Sequence, residues 1–320
     1  MIVVGGEALV DMLIPPDGTI TATPGGGPFN VARTVGRLGV PVTFLGRLSA
    51  DRFGRSMASM LADDDVVPGC PDPVDEPTTL AVAELDDEGR AEYRFYLDGT
   101  SAVGLRPEDT RSVGNTRPVA IHVGTLGLVV EPMASTLEAF VDSASDDVVV
   151  MVDPNCRPSA IADPGGYRAR IARVLRRADV VKVSREDLAF LDPDRPTDDA
   201  ARAMLRGKAS GPPVVLVTNG ADAAVIHTGD RETRVKVPRV AVVDTVGAGD
   251  AFGGAFLAWW IASGLGRGDL RDPVALRAGA EFAVAVAAIT CERAGADPPR
   301  LAELGELGSR WPGRSTPAGA

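Results

Sequence analysis

Apolar residues fall along this chain in two rhythms. Met1–Glu7, Val42–Leu48, Val119–Val123, Val148–Val152, Val180–Val183 and Val214–Val217 are short, nearly continuous apolar runs rich in valine and isoleucine. Such runs predict strands buried on both faces. Ala223–His227 reads as a further strand, and Val235–Val243 as another despite Pro238 and Arg239. Between them apolar positions recur at helical spacing: from Asn30 through Leu38, after Ser49-Ala-Asp-Arg-Phe-Gly54 to about Leu61, over Glu131–Val141 with Pro132 in the first turn, and over the arginine-rich Gly166–Arg177. Strands alternating with helices predict an α/β fold with a mainly parallel central sheet and helices on both faces. Thr78–Val82 and Glu92–Tyr96 instead alternate around a turn at Asp86-Asp-Glu-Gly89, which predicts a hairpin with one wet face.

Composition narrows the possibilities. The 320 residues are 45% apolar, enough for a full core. The net charge of −11 speaks against non-specific nucleic-acid binding. Lysine occurs only at 182, 208 and 236, so arginine supplies most of the positive charge. Cys70, Cys156 and Cys291 are odd in number and scattered, as expected in a reducing compartment. With two histidines and no ligand-spaced pair, a zinc site is not expected. No signal segment precedes the first strand, and the longest apolar stretch, near Ala255–Ala262, is short for a membrane span. A soluble cytoplasmic protein with no membrane partner is expected. The Gly-, Pro- and Ser-rich residues 308–320 read as a frayed tail after a domain over 1–307, and Asp63-Asp-Asp65 as a solvated helix end.

The chemistry gathers at Asp244-Thr-Val-Gly-Ala-Gly-Asp-Ala-Phe252. Phe252, Phe256, Leu257 and Trp260 then recur at helical spacing, so this is a glycine turn that opens a helix. Gly247 and Gly249 allow a sharp turn and close approach of a ligand to the main chain. The first N–H groups of a helix lack intrahelical partners and sit at its positive end, which makes the turn from Gly247 through Ala248 and Gly249 an anion hole suited to phosphate. Asp250, in that first turn, is placed to accept a hydroxyl proton while the hole steadies the phosphoryl group under attack. A dinucleotide fingerprint fits poorly, because Phe252 stands where its third glycine should be. A Walker A loop would need a lysine that the stretch lacks. A purely structural turn with a capping aspartate is the remaining alternative.

Other candidates lie at strand ends, where open α/β sheets collect their ligands. Asp11 follows the first strand. The run Pro24-Gly25-Gly26-Gly-Pro-Phe-Asn30 lets a ligand touch backbone, and Asn30 offers the donors and acceptor that suit a hydroxyl-rich ligand. Asn155 and Arg157, in Asp153-Pro-Asn-Cys-Arg-Pro, suit a phosphate or sugar oxygen, with Asp153 read as a turn cap. Ser184 and Asp187 also read as a capping box.

Together, Gly25-Gly26-x-x-x-Asn30 and the Asp244–Asp250 motif resemble the two signatures of the ribokinase-type (PfkB) carbohydrate kinases, and the resemblance spans roughly residues 1–300. It implies a ribokinase-like fold with a small β-sheet lid, from about 12–22 and 78–100, over a sugar site. It implies Asp250 as catalytic base; Asp11, Gly25, Gly26, Asn30, Asn155 and Arg157 at the sugar, with Arg94 and Tyr96 reaching it from the lid; and ATP held by Lys182, Thr218, Gly220, Gly247 and Gly249. The family's magnesium-organising Asn-x-x-Glu is Ser184-x-x-Asp187 here, so Asp187 and the neighbouring Glu186 stand in for an indirect magnesium role. Asp244 matches a monovalent-cation (potassium) site, and Ala288–Ala296 resembles the segment flanking the adenine. Asn219 and Ala223 depart from the usual nucleotide loop. His122-Val-Gly-Thr-Leu-Gly-Leu-Val-Val-Glu-Pro132 and Lys182-Val-Ser184 look most like bacterial fructokinases. The expected activity is transfer of the ATP γ-phosphoryl group to O6 of D-fructose. 2-Keto-3-deoxygluconate, ribose or a nucleoside are alternative acceptors, and a sugar-binding regulator without turnover is a different class. A lid-to-lid homodimer is the assembly that the family implies.

Overall fold

The computed structural model describes residues 1–88, 90–114, 116–206, 212–229 and 231–312. In chain order the elements are β1 (Ile2–Gly5), β2 (Leu9–Ile14), β3 (Thr21–Gly25), α1 (Gly27–Arg37), β4 (Val42–Leu45), α2 (Arg52–Asp63), β5 (Val66–Pro68), β6 (Leu80–Leu85) and β7 (Ala91–Tyr96). There follow α3 (Arg111–Gly114), β8 (Ala120–Gly124), α4 (Met133–Asp142), β9 (Val149–Asp153), α5 (Pro164–Val174), β10 (Val180–Ser184), α6 (Arg185–Leu191) and α7 (Thr197–Arg206). The chain ends through β11 (Val214–Thr218), β12 (Ala224–Thr228), β13 (Arg231–Val235), α8 (Ala248–Ala262) and α9 (Pro273–Cys291).

The main sheet has the order β13-β12-β11-β10-β9-β8-β1-β4-β5. It is parallel from β11 to β5, with β12 and β13 antiparallel at one edge. Alternate strand residues enter opposite layers. Met151, Val180 and Leu216 pack with α1, α2, α8 and α9, whereas Val150, Val152 and Val181 pack with α4 to α7. The sheet is therefore buried on both sides, which is why its strands read as unbroken apolar runs. A second sheet, β3-β2-β6-β7, stands apart from the first. This is the ribokinase-like architecture, a large mainly parallel sheet with a smaller sheet beside it.

Two helix contacts set the frame of the site. A Cβ added at Gly254 of α8 would lie 2.8 Å from Thr34 Cβ and 3.0 Å from the Val31 carbonyl oxygen. Glycine thus lets α8 approach α1 almost backbone to backbone. Gly279 of α9 likewise faces Trp259 and Phe256, and Phe256 stacks on Trp260 at 5.8 Å.

Four expectations are corrected. Val235–Val243 is not a strand. The strand is β13, and the chain beyond Val235 leaves the sheet, with Val242 and Val243 62% and 65% exposed. Pro238 cannot donate to a ladder, and the amides of Val243 and Asp244 go to the Cys291 carbonyl instead. The longest apolar helix is α9, which by length and composition could cross a membrane but packs here against α8. Residues 308–312 are not frayed, since Trp311 is buried against Phe282 at 5.3 Å; residues 313–320, like Gly89 of the hairpin turn and Lys208, lie outside the described residues. Within Asp63-Asp-Asp65, Asp64 is buried and bound by three arginines.

Gly254→Val should lower stability by about 1–3 kcal/mol, because the added methyls must push α1 off α8. Urea unfolding followed by circular dichroism checks this, and an unchanged midpoint would mean that the two helices separate freely.

Candidate active site

Seven parallel strands, β11 to β5, end on one edge of the main sheet, and the candidate residues collect there. Gly247 closes the loop before α8 in the left-handed conformation, with φ 76°. The Ala248 amide is taken by the Thr245 carbonyl at 3.2 Å, and the Ala251 amide makes the first helical bond to Gly247. The N–H groups of Gly249 and Asp250, lying between them in the first turn, are the open donors of the hole.

Asp250 is 8% exposed. Its Oδ2 accepts a 2.9 Å hydrogen bond from Asn30 Nδ2, which α1 presents across the helix contact. Burial raises the Asp250 pKa, and the Asn30 bond, Lys182 and Arg157 pull it back. Asn30 Oδ1 is buried and meets no protein partner, leaving an acceptor for a hydroxyl.

Gly27 joins three further groups. A Cβ there would lie 2.5 Å from Thr125 Oγ1 and 3.4 Å from both Asn155 Nδ2 and Asp250 Oδ1. Thr125 and Asn155 both hold positive φ, 51° and 39°, and Asn155 Nδ2 donates to Thr125 Oγ1 at 3.3 Å. Arg157 folds back on its own loop, donating to Asn155 Oδ1 at 2.7 Å. Asp11 comes in from β2 close enough that a Cβ at Gly25 would strike its carboxylate at 2.2 Å. Burial pushes the Asp11 carboxyl up to about 6, against the pull of Arg157.

Sequence reasoning missed Glu7 and Thr125. Glu7 is fully buried and accepts from the amides of Gly27 (3.2 Å) and Gly127 (3.1 Å), so one carboxylate clamps the glycine loop to the turn after β8. A carboxylate directly after the first strand was the available signal, by the argument that singled out Asp11. Burial pushes Glu7 up to about 8, although its own backbone amide and that of Gly127 favour the ionised form.

Lys182 lies beneath the hole. Its Nζ donates to Asp153 Oδ2 at 2.9 Å and would be 2.8 Å from a Cβ on Gly249. Burial opposes its charge, but Asp153 and Asp187 outweigh burial and raise its pKa. Asp153 is thus an ion-pair partner and not a turn cap. Asp187 completes the capping box with Ser184, and its other oxygen accepts from the Cys156 amide at 2.6 Å. Glu186 is exposed beside it. Thr218 ends β11 level with Ser184, and Gly220 takes φ 52° in the turn that follows. Asp244 accepts from Val246 and Gly295, which ties the turn before α8 to the chain after α9.

Arg94 and Tyr96 do not join this group. In β7, Phe95 is paired with Ala81 and so with Asp11, on the face turned to the site. Arg94 and Tyr96 alternate with it and occupy the opposite face. The inward residue of the hairpin end is Tyr93.

A buried carboxylate beside open helix amides, under a glycine cradle, defines a phosphotransferase acting on an alcohol group. The chain belongs to the pfkB family of carbohydrate kinases, whose profile matches residues 1–302. A fructokinase of Rhizobium leguminosarum bv. trifolii is 37% identical over 265 residues, 81% of this chain and 79% of its own. Probable fructokinase-2 of Arabidopsis thaliana is 31% identical over 308 residues, 93% of this chain and 92% of its own. The structure of fructokinase with bound ATP from Xylella fastidiosa superposes with a TM-score of 0.84 at 28% identity, covering 96% of this chain and 97% of that one. A fructokinase double mutant from Vibrio cholerae O395, with fructose, ADP and a potassium ion bound, gives 0.80 at 27% identity, again over 96% and 97%.

Glu7 also sets a pH dependence. Its folded pKa lies above the ordinary value of 4.5, so its contribution to stability is present below about 4.5 and is lost as pH rises through about 8. Glu7→Gln should flatten the fall in urea midpoint between pH 5 and pH 8, by up to about 1.4 kcal/mol per pH unit near mid-window. Parallel slopes in the two proteins would mean that the two amides keep Glu7 ionised throughout.

Proposed function

We propose that this protein is a soluble cytoplasmic ATP-dependent fructokinase that transfers the γ-phosphoryl group to O6 of D-fructose. The observation that carries the reading is the Asn30–Asp250 hydrogen bond, which sets an unshared carboxylate oxygen of Asp250 between the glycine cradle and the open amides of α8. The sugar lies against Gly25, Gly26 and Asn30, with Asp11 over it and Asn155 and Arg157 beside it, under the second sheet as a lid. Asp250 takes the proton of the primary hydroxyl as that oxygen attacks the phosphorus in line. The Gly249 and Asp250 amides meet the charge on the transferred group, with the Lys182 ammonium beneath them. Thr218 and Gly220 receive the nucleotide.

Among the described residues no group of three acidic or thiol side chains is arranged to hold a metal. This suits a magnesium ion carried largely by phosphates and water, with Glu186 the carboxylate left to face that water shell. Bound with the nucleotide, magnesium supplies charge neutralisation at the phosphate oxygens. Asp187 acts at one remove, through the loop it braces. Asp244 is the proposed anionic partner of a potassium ion.

A sugar acid such as 2-keto-3-deoxygluconate fits less well. Residues paired with Asp11 and its alternates on the inward face of the second sheet include Leu13, Thr23, Ala81, Ala83, Tyr93 and Phe95, and none of its strand positions is arginine or lysine. The discriminating assay is ATP consumption against fructose, 2-keto-3-deoxygluconate, ribose and adenosine, with Asp250→Asn in parallel. Turnover should be highest on fructose and fall by about 10²–10⁴-fold in the variant. Turnover surviving in Asp250→Asn removes the base from its role. Preference for another acceptor replaces fructose, and ATP binding without turnover on any acceptor replaces the kinase with a sugar-binding regulator.

A further inference from the structure

Asp64, directly after α2, is 1% exposed and takes hydrogen bonds from Arg33 Nε, Arg37 Nε and Arg300 Nη2, each at 2.8 Å. One carboxylate cannot satisfy three guanidinium groups, and buried donors need acceptors. The surplus donors of the first two converge on one segment. Arg33 Nη1 donates to the Ala296 carbonyl at 3.0 Å, and Arg37 Nη1 to Asp297 Oδ1 and the Pro298 carbonyl, both at 2.5 Å. That segment rests on the anion hole. A Cβ added at Gly247 would meet Ala296 Cβ at 2.5 Å and its Cα at 2.9 Å. Its near end is tied from the other side, where Gly295 donates to Asp244 at 2.8 Å. Residues 295–298 are therefore wedged between the arginines of α1 and the turn that aims the amides of α8. Asn30 and Arg33 stand one turn apart on α1 and so share a face. Asn30 holds Asp250, and Arg33 reaches Gly247 through Ala296. One helix grips both ends of the Gly247–Asp250 turn.

We propose that Arg33, oriented by Asp64, is a positioning residue for phosphoryl transfer, holding Ala296 against Gly247 so that the helix amides keep their aim on the nucleotide phosphate. The proposal rests on the kinase reading above and adds a contribution from groups that touch neither substrate.

Arg33→Lys is the informative variant. It keeps a cation facing Asp64, but a single ammonium cannot reproduce the fork that spans Asp64 and the Ala296 carbonyl. The dissociation constants of ATP, with magnesium, and of fructose are measured by calorimetry, followed by steady-state kinetics. The ATP constant should rise about tenfold and kcat should fall about 10- to 100-fold, with fructose affinity within about twofold and the melting temperature nearly unchanged. Unchanged ATP affinity and kcat overturn the proposal. Parallel losses of ATP and fructose binding with a lowered melting temperature also overturn it, since they mark a purely structural role. Should Arg33→Lys not fold, Ala296→Gly removes the methyl facing Gly247 without touching the ion network, and the same split is expected. Wild-type protein that binds ATP but phosphorylates no acceptor overturns the kinase reading alone, and the ATP constants of the two proteins still decide the role of Arg33. Wild-type protein that binds no ATP overturns both.

Discussion

The structure depends on one carboxylate being kept dry while polar partners favour its ionised form. Burial alone would protonate Asp250 and spoil it as a base. The Asn30 amide opposes that rise by donating to the charged form, with Lys182 and Arg157 adding their field, and burial still leaves the Asp250 pKa raised. That hydrogen bond spans two helices distant in sequence. It exists only because Gly254 has no side chain to hold α1 away from α8. A packing fact and an acid–base fact are thus the same fact.

The charges around this point divide by task. The acidic side chains Glu7, Asp11, Asp153, Asp187 and Asp250 outnumber Lys182 and Arg157, which on the kinase reading is a poor balance for a site that receives a polyanion, even with Glu7 pushed up to about 8 and so largely neutral near pH 7. Most of these carboxylates, however, face inward on protein groups. Glu7 holds two amides, Asp153 holds Lys182, and Asp187 holds Ser184 and the Cys156 amide. They fix the loops that carry the site and do not confront the phosphate. On the reading proposed here, what faces the phosphate is neutral backbone at a positive helix end, with an ammonium behind it. Fixed dipoles need no reorganisation when charge moves from the nucleotide to the acceptor oxygen, which is the most effective form of such stabilisation.

Much of this was legible in the chain. Buried parallel strands announce themselves as apolar runs, and the Gly247–Asp250 stretch announces a glycine turn that opens a helix with an acid in its first turn. The failures have physical causes. Alternation in Glu92–Tyr96 identified two faces but not which of them looks inward; only the register with Asp11 settles that, and register is set by partners far away in sequence. Val235–Val243 has a strand's composition, but Pro238 cannot continue a ladder, so Val242 and Val243 end up at the surface. Asp64 looked like its solvated neighbours because burial of a charge is decided by the three arginines that fold around it, one of them 236 residues away. Glu7 was hidden for the same reason, since its partners are backbone amides that no composition reveals.

α1 carries Gly27, Asn30, Arg33 and Arg37, and so meets Asp250, the glycine loop and, through Ala296, the turn at Gly247. These contacts recognise a hydroxyl and a phosphate, features common to every acceptor in the class. On the reading proposed here, α1 therefore sets the chemistry, and the choice of sugar must come from what closes over it. The inward face of the second sheet is that surface. It brings one carboxylate, Asp11, raised by burial to about 6, together with threonine and aromatic side chains, and no cation. A hydroxyl-rich neutral sugar can satisfy Asp11 by donating to it. A sugar acid would set a second carboxylate against it, with Arg157 already drawn on by Asp11 and no further cation on that face, and like charges in a low-dielectric pocket repel strongly. On that reading the carboxylate that holds a neutral ketose disfavours its acidic analogue, and the selectivity follows from the absence of a second arginine beside Arg157 as much as from the presence of an aspartate.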